Sequence, residues 1–142
     1  MANRQFQQFS YRLEKGVVVL YARINIGATG APTLVTTSTS GNPSNGIASV
    51  SRSSAGKYVI TFGATGSTQT NLDTYQRLLF AQANVINSTI STVVSTQVSV
   101  EAVSTASAPA ITIQCLAAAG TEVDPNNGDV LLVKIELKNA TV

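Results

Sequence analysis

Five oxygen-bearing side chains crowd one stretch of the chain, Glu122, Asp124, Asn126, Asn127 and Asp129, around Pro125 and Gly128. Oxygen at that density suits a hard cation such as calcium. The twelve-residue ligand register with its terminal bidentate glutamate is missing, and no helical pattern flanks the stretch. It therefore reads as a turn, in which proline fixes φ, asparagine and glycine accept positive φ, and aspartate bonds back to its own backbone. The glycines of Gly27 to Pro32 and of Gly63 to Ser67 have the composition of phosphate loops. Neither runs into Lys-Ser/Thr or into a helix start, so both read as loop tips. Glu101 and Glu136 stand in strand-like segments and are a carboxylate pair that a fold could bring together for glycoside chemistry. Solvation, or pairing with Lys134 or Lys138, is the expected state. Cys115 alternates inside a strand-like run with no basic neighbour, which predicts a small core hydrophobe rather than a reactive thiolate.

The composition explains why so little chemistry is on offer. The 142 residues include no histidine, no tryptophan, one cysteine and seven carboxylates. Histidine-dependent nucleophile arrangements, cysteine-rich zinc sites and internal disulfides are excluded at once. No enzyme and no cofactor is expected. Charged residues make up 11% of the chain, against about a quarter in ordinary domains, while 15 serines and 17 threonines supply the polarity instead. With 44% hydrophobic residues the chain is expected to fold, and its length suits one domain. The net charge of +2 and pI near 8.9 come from a small excess over few charges, not from a dense phosphate-neutralising stripe, so nucleic acid is not an expected partner. Nowhere do 18 apolar residues run together, so no membrane is expected. The opening Met1-Ala-Asn-Arg-Gln-Phe lacks the apolar stretch of a secretory signal, which predicts synthesis in a cytoplasm. In that setting the N-x-Ser/Thr matches at Asn87 and Asn139 carry no glycan.

The elements that would hold these residues are strands. Lys15 to Ile26 (KGVVVLYARINI) predicts a long, mostly buried strand. Gly27 to Gly46 reads as a loop with one weak strand near Leu34 to Thr36. Ile47 to Arg52 and Lys57 to Phe62 flank Ser53-Ser54-Ala55-Gly56 and predict a β-hairpin. Asp73 to Leu79 is the one helix-like stretch, with Asp73 as its cap. Strand pattern returns from Phe80 through Ile86, and again from Thr96 to Val103 with Val98, Val100 and Ala102 on one face. Ala110 to Ala117 alternates, with Ile111, Ile113 and Cys115 on the core side. The turn-rich Gly120 to Asp129 then predicts a hairpin or corner between adjacent strands. Seven or eight strands without αβ alternation give an all-β fold, a single antiparallel β-sandwich or barrel. It would occupy residues 12–142, after an N-terminal arm over residues 1–11.

The arm has its own character. The first 23 residues carry a net charge of +3 and the rest −1. Phe6, Phe9 and Tyr11 interleave with glutamines and with Arg4 and Arg12, the mix of aromatic anchors, amides and arginine found in protein contacts. Arg4, Phe6, Phe9, Tyr11 and Arg12 are the residues expected to touch a partner. No metal ligand or catalytic residue is assigned.

The ordered pieces RLEKGVVVLYARINIGATGAPTL, GIASVSRSSAGKYVITF, YQRLL and DPNNGDVLLVKIELKNATV resemble a family of small virion proteins of tailed bacteriophages, the capsid cement or head-decoration proteins. The resemblance runs from about Phe9 to Val142, is one of texture and order, and thins in the Ser/Thr-rich stretches. It implies a jelly-roll type of sandwich, attachment to the outer face of a phage shell, the major capsid protein as partner, and assembly as a dimer or trimer. No binding residue carries over position by position. A second reading is a carbohydrate- or receptor-binding β-sandwich of a tail, fibre or adhesin. It would use Asn42 to Asn45 and Asn126 to Asp129, with calcium; the absence of tryptophan and the 6% aromatic content count against it.

Overall fold

The computed structural model describes residues 17–36, 44, 46–62, 77–87, 93, 95–102 and 110–138. Eight strands make up most of them: β1 (Val17–Ile26), β2 (Pro32–Leu34), β3 (Ile47–Ser54), β4 (Lys57–Phe62), β5 (Arg77–Ile86), β6 (Ser95–Ala102), β7 (Ala110–Leu116) and β8 (Val130–Lys138). One 3-10 turn, Ala28–Gly30, joins β1 to β2. The strands form two four-stranded antiparallel sheets, β2-β1-β8-β5 and β3-β4-β7-β6, packed together as the expected β-sandwich.

Alternation builds the core. Leu20, Ala22, Ile24 and Ile26 of β1 and Leu131, Val133, Ile135 and Leu137 of β8 are buried, and they meet Tyr58 and Ile60 of β4 and Ile111, Ile113 and Cys115 of β7. Register keeps each set on one side, with Leu20 opposite Ile135, Ala22 opposite Val133, and Tyr58 opposite Ile113. Each fully buried leucine or isoleucine contributes about 1.5–3 kcal/mol relative to exposure. At the side of the sandwich the Thr96 hydroxyl of β6 donates to the Ala83 carbonyl of β5 at 2.5 Å, tying an edge of the first sheet to the second.

The jelly-roll expectation is not confirmed. Of the seven consecutive strand pairs four cross between the sheets, while β1–β2, β3–β4 and β6–β7 each pair within one sheet. The β3–β4 hairpin and the buried Cys115 are as expected. Four local expectations change. The β1 segment is not mostly buried but alternates, because its outer side is covered by nothing described. The weak strand falls at Pro32–Leu34, set by pairing with Ile24–Ile26. Arg77–Leu79, expected to close a helix begun at Asp73, opens β5 instead; pairing along the full length of β8 overrides the propensity of a segment too short to nucleate a helix. Asp73 to Gln76 lie outside the described residues. A bulge in β6 breaks the expected single face, since Val98 stands opposite buried Ile113 but Val100 opposite Thr112. Of the two alternatives for Gly120 to Asp129, hairpin or corner, the corner is the one found: the stretch passes from β7 in one sheet to β8 in the other.

Candidate functional site

At one end of the sandwich the Asp124 carboxylate gathers donors from the β3–β4 hairpin. Arg52 binds it twice, Nε to Oδ1 at 3.0 Å and Nη2 to Oδ2 at 2.7 Å, and the Gly56 N–H donates to Oδ1 at 2.8 Å. The Tyr58 hydroxyl lies 3.0 Å from Oδ1 and 3.1 Å from the Gly30 carbonyl, with one proton to share between two acceptors. Both glycines are demanded here. Gly56 has φ 70° and a Cβ would stand 2.6 Å from the Val123 nitrogen, while Gly30 has φ 74° and a Cβ would stand 2.5 Å from Asp124 Cγ.

The electrostatics of this cluster leave nothing reactive in it. The Arg52 guanidinium, with help from the Gly56 N–H and Tyr58, holds the Asp124 carboxyl below the usual carboxylate range. Burial, then the Asp124 charge, pushes the Tyr58 hydroxyl up, and burial pushes the Cys115 thiol up to about 12. An ionised carboxylate with occupied oxygens, a neutral phenol and a neutral thiol supply no free base and no nucleophile. What they do is clasp the β1–β2 connection, the β3–β4 turn and the β7–β8 corner together.

The neighbouring residues are committed in the same way. Asp129 Oδ2 accepts from the Asn126 N–H at 2.8 Å, and the Asp129 N–H donates to the Asn126 carbonyl at 3.0 Å, so this stretch is a turn closed on itself. Glu122 pairs with Lys57 at 2.8 Å, which, with the Gln114 amide, holds its carboxyl below the ordinary value. Glu136 pairs with Lys134 at 2.6 Å, as one of its expected states required; nothing is described of the Glu101 side chain. Among the described residues no three His, Cys, Asp or Glu side chains come together, and no helix is long and apolar enough to cross a membrane. Gly27 to Ala31 form the short turn before β2, which Pro32 opens, and Gly63 to Ser67 lies outside the described residues.

A different kind of site lies on the outer face of the first sheet. Antiparallel register lines up five rows across β1, β8 and β5: Val17, Lys138, Arg77; Val19, Glu136, Phe80; Tyr21, Lys134, Gln82; Arg23, Leu132, Asn84; and Asn25, Val130, Ile86. Large apolar side chains stand exposed there: Val19 by 41%, Tyr21 by 56%, Phe80 by 44% and Ile86 by 48%. A bulge between Leu78 and Phe80 adds Leu79, which is 48% exposed and would point inward under strict alternation. Lys134 bridges the polar and apolar parts: its Nζ holds Glu136 and sits 5.9 Å from the centre of the Phe80 ring. A shallow groove of about 370 Å³ runs beside Tyr21, Arg23, Gln82, Asn84, Leu132 and Lys134.

The chain matches no family model, no curated protein and no solved structure.

The residues singled out for partner contact, Arg4, Phe6, Phe9, Tyr11 and Arg12, lie outside the described residues, as do Asn42, Pro43 and Asn45 of the second reading. Ser44 is buried, and its hydroxyl accepts from the Arg23 N–H at 3.0 Å. The outer face was missed because KGVVVLYARINI reads as a continuous apolar run. Its one interior charge was the available signal: Arg23 must face water, and period-two alternation then turns Val19 and Tyr21 outward with it.

Proposed function

We propose that the chain is a non-enzymatic structural protein of a phage virion, one that docks on the outer surface of the capsid and stabilises the shell by bridging adjacent major capsid subunits. The observation that carries this reading is the outer face of the β2-β1-β8-β5 sheet, where exposed tyrosine, phenylalanine and aliphatic residues sit beside arginine and lysine, the composition of a protein contact rather than of a solvated surface. The resemblance in sequence texture supports it. A clasped, hydroxyl-rich sandwich also loses little side-chain entropy when ordered against a neighbour. The arm residues Arg4, Phe6, Phe9, Tyr11 and Arg12 add a second contact, and a homo-oligomer multiplies both, since linked weak contacts sum to firm attachment.

Co-sedimentation of the purified chain with expanded phage heads that lack it tests the reading. Saturable pelleting at a simple ratio to shell subunits is the expected result. A folded chain that stays in the supernatant, and that instead gives saturable signal on a glycan array, moves the assignment to a receptor-binding module. Removing residues 2–11 should weaken attachment without changing the melting temperature, and unchanged occupancy would remove the arm from the mechanism.

A further inference from the structure

We propose that the outer face of the β2-β1-β8-β5 sheet receives an acidic protein segment, whose carboxylate is taken by Arg23 in the groove between Tyr21 and Leu132. The inference rests on the docking reading above and names the chemistry of the partner.

Three observations converge on it. First, the Arg23 side chain has no hydrogen-bond or ion-pair partner among the described residues, although its backbone is held on both sides by Ser44. An exposed guanidinium on a fixed backbone is a preorganised fork for a carboxylate, which it binds through two parallel N–H donors. Second, the charge on the face is one-sided. Of the charged side chains described on the rows from Val19 to Asn25, Arg23 and Lys134 are positive and Glu136 alone is negative, and Glu136 is already held by Lys134 at 2.6 Å. Third, the Gln82 and Asn84 amides border the groove without partners among the described residues, so donors and acceptors for a partner's backbone stand next to the cation.

These features also choose among occupants. A second copy docked by the same face would set another Arg23 and Lys134 against the first pair, with no free carboxylate among the described residues of that face to meet either. Nucleic acid requires a dense cationic track, whereas the described side chains of this face offer one unpaired cation among exposed tyrosine, phenylalanine and isoleucine. An acidic segment carrying apolar residues satisfies both halves of the surface. Its carboxylate meets Arg23, and its apolar side chains cover Tyr21 and Phe80.

The test uses the isotopically labelled full chain, titrated by NMR with an end-blocked peptide of sequence Glu-Leu-Glu-Phe-Glu and with its glutamine counterpart. Amide shifts should concentrate on residues 21–23, 82–84 and 132–134, with the glutamine peptide at least tenfold weaker and Arg23→Gln lowering affinity for the acidic peptide at least fivefold. Affinity should also fall severalfold between 50 and 300 mM salt, as charge pairing at an exposed site requires. Equal binding of the two peptides, or shifts centred elsewhere, overturns the proposal. So does tighter binding of oligothymidylate or of an oligosaccharide at the same residues, or a concentration-dependent dimer that shifts them without any ligand. Co-sedimentation of Arg23→Glu with phage heads separates this proposal from the one it rests on. Pelleting at wild-type occupancy, with no peptide binding, leaves the docking reading standing and removes this inference. Peptide binding by a chain that never pellets does the reverse.

Discussion

The two outer faces of the sandwich share a fold, a core and a chain, yet they carry opposite chemistry. On the β3-β4-β7-β6 sheet the outward positions described are Ser49, Ser51, Ser54, Lys57, Val59, Thr61, Ala110, Thr112, Gln114, Leu116, Ser95, Gln97 and Ser99, with no aromatic residue among them. Their polar groups satisfy one another, as when the Gln97 amide donates to Gln114 at 2.7 Å and Lys57 pairs with Glu122 at 2.8 Å. The β2-β1-β8-β5 sheet instead exposes Tyr21, Phe80 and Ile86 and leaves Arg23 without a partner among the described residues. Folding needs neither arrangement in particular, because a solvated sheet face is stable with hydroxyls alone. The difference fits the proposal that one face meets a partner and the other does not.

The comparison is broken most severely from the inside, where the sheets should be equivalent. Ile113→Ala on one inner face and Ile135→Ala on the other should each cost about 2–5 kcal/mol in urea unfolding, since both residues are fully buried in one shared core. A loss below about 1 kcal/mol for either variant would mean that the sheets do not share that core. Next in size is the clasp that joins connections from both sheets. Asp124→Ala should cost on the order of 1–3 kcal/mol by leaving the Gly56 N–H and the Tyr58 hydroxyl short of an acceptor. Because the folded pKa of Asp124 lies below its unfolded value of 3.8, its contribution is complete above that value and disappears as pH falls through the lower, folded one. Acid titration of stability should therefore steepen below pH 3.8 in the wild type and flatten in Asp124→Asn; equal acid limbs would place the acid sensitivity elsewhere. Smallest in stability, and the sharpest test of the faces themselves, is the exchange of exposed side chains. Phe80→Ser and Gln97→Ser should each leave stability within about 0.5 kcal/mol. Phe80→Ser alone should lower occupancy on phage heads, by tenfold or more, and equal losses from both would erase the distinction between the faces.

Much of the fold was legible because its signals are local. The alternation of AITIQCLA places Ile111, Ile113 and Cys115 in the core, and Ala55-Gly56 between two alternating runs makes the β3–β4 turn. What depends on distant partners was not legible. Arg77–Leu79 have helix-compatible types and become strand through β8, 50 and more residues away, and the bulge that exposes Leu79 exists only against that strand. The clasp was half visible. Asp124 announced a turn, but its partners Arg52, Gly56 and Tyr58 lie 66 to 72 residues away and give no spacing signal. The outer face was hidden by its own composition, since valine, tyrosine and leucine in a strand suggest burial until parity with Arg23 is read.

The grip of Ser44 on Arg23 has a consequence for engineering. The Val35 N–H donates to the Arg23 carbonyl at 2.9 Å, and Ser44 returns to the same residue from the other side, its hydroxyl accepting from the Arg23 N–H and donating to the Arg23 carbonyl. Val35 and Ser44 are thus both anchored on a single residue of β1, like a thread passed twice through one eyelet. Sequence added between these two anchors should leave both in place, since each doubling of a connection's length costs only about 0.6 kcal/mol. That position is a display port: a place to carry a foreign epitope or reporter peptide on the scaffold.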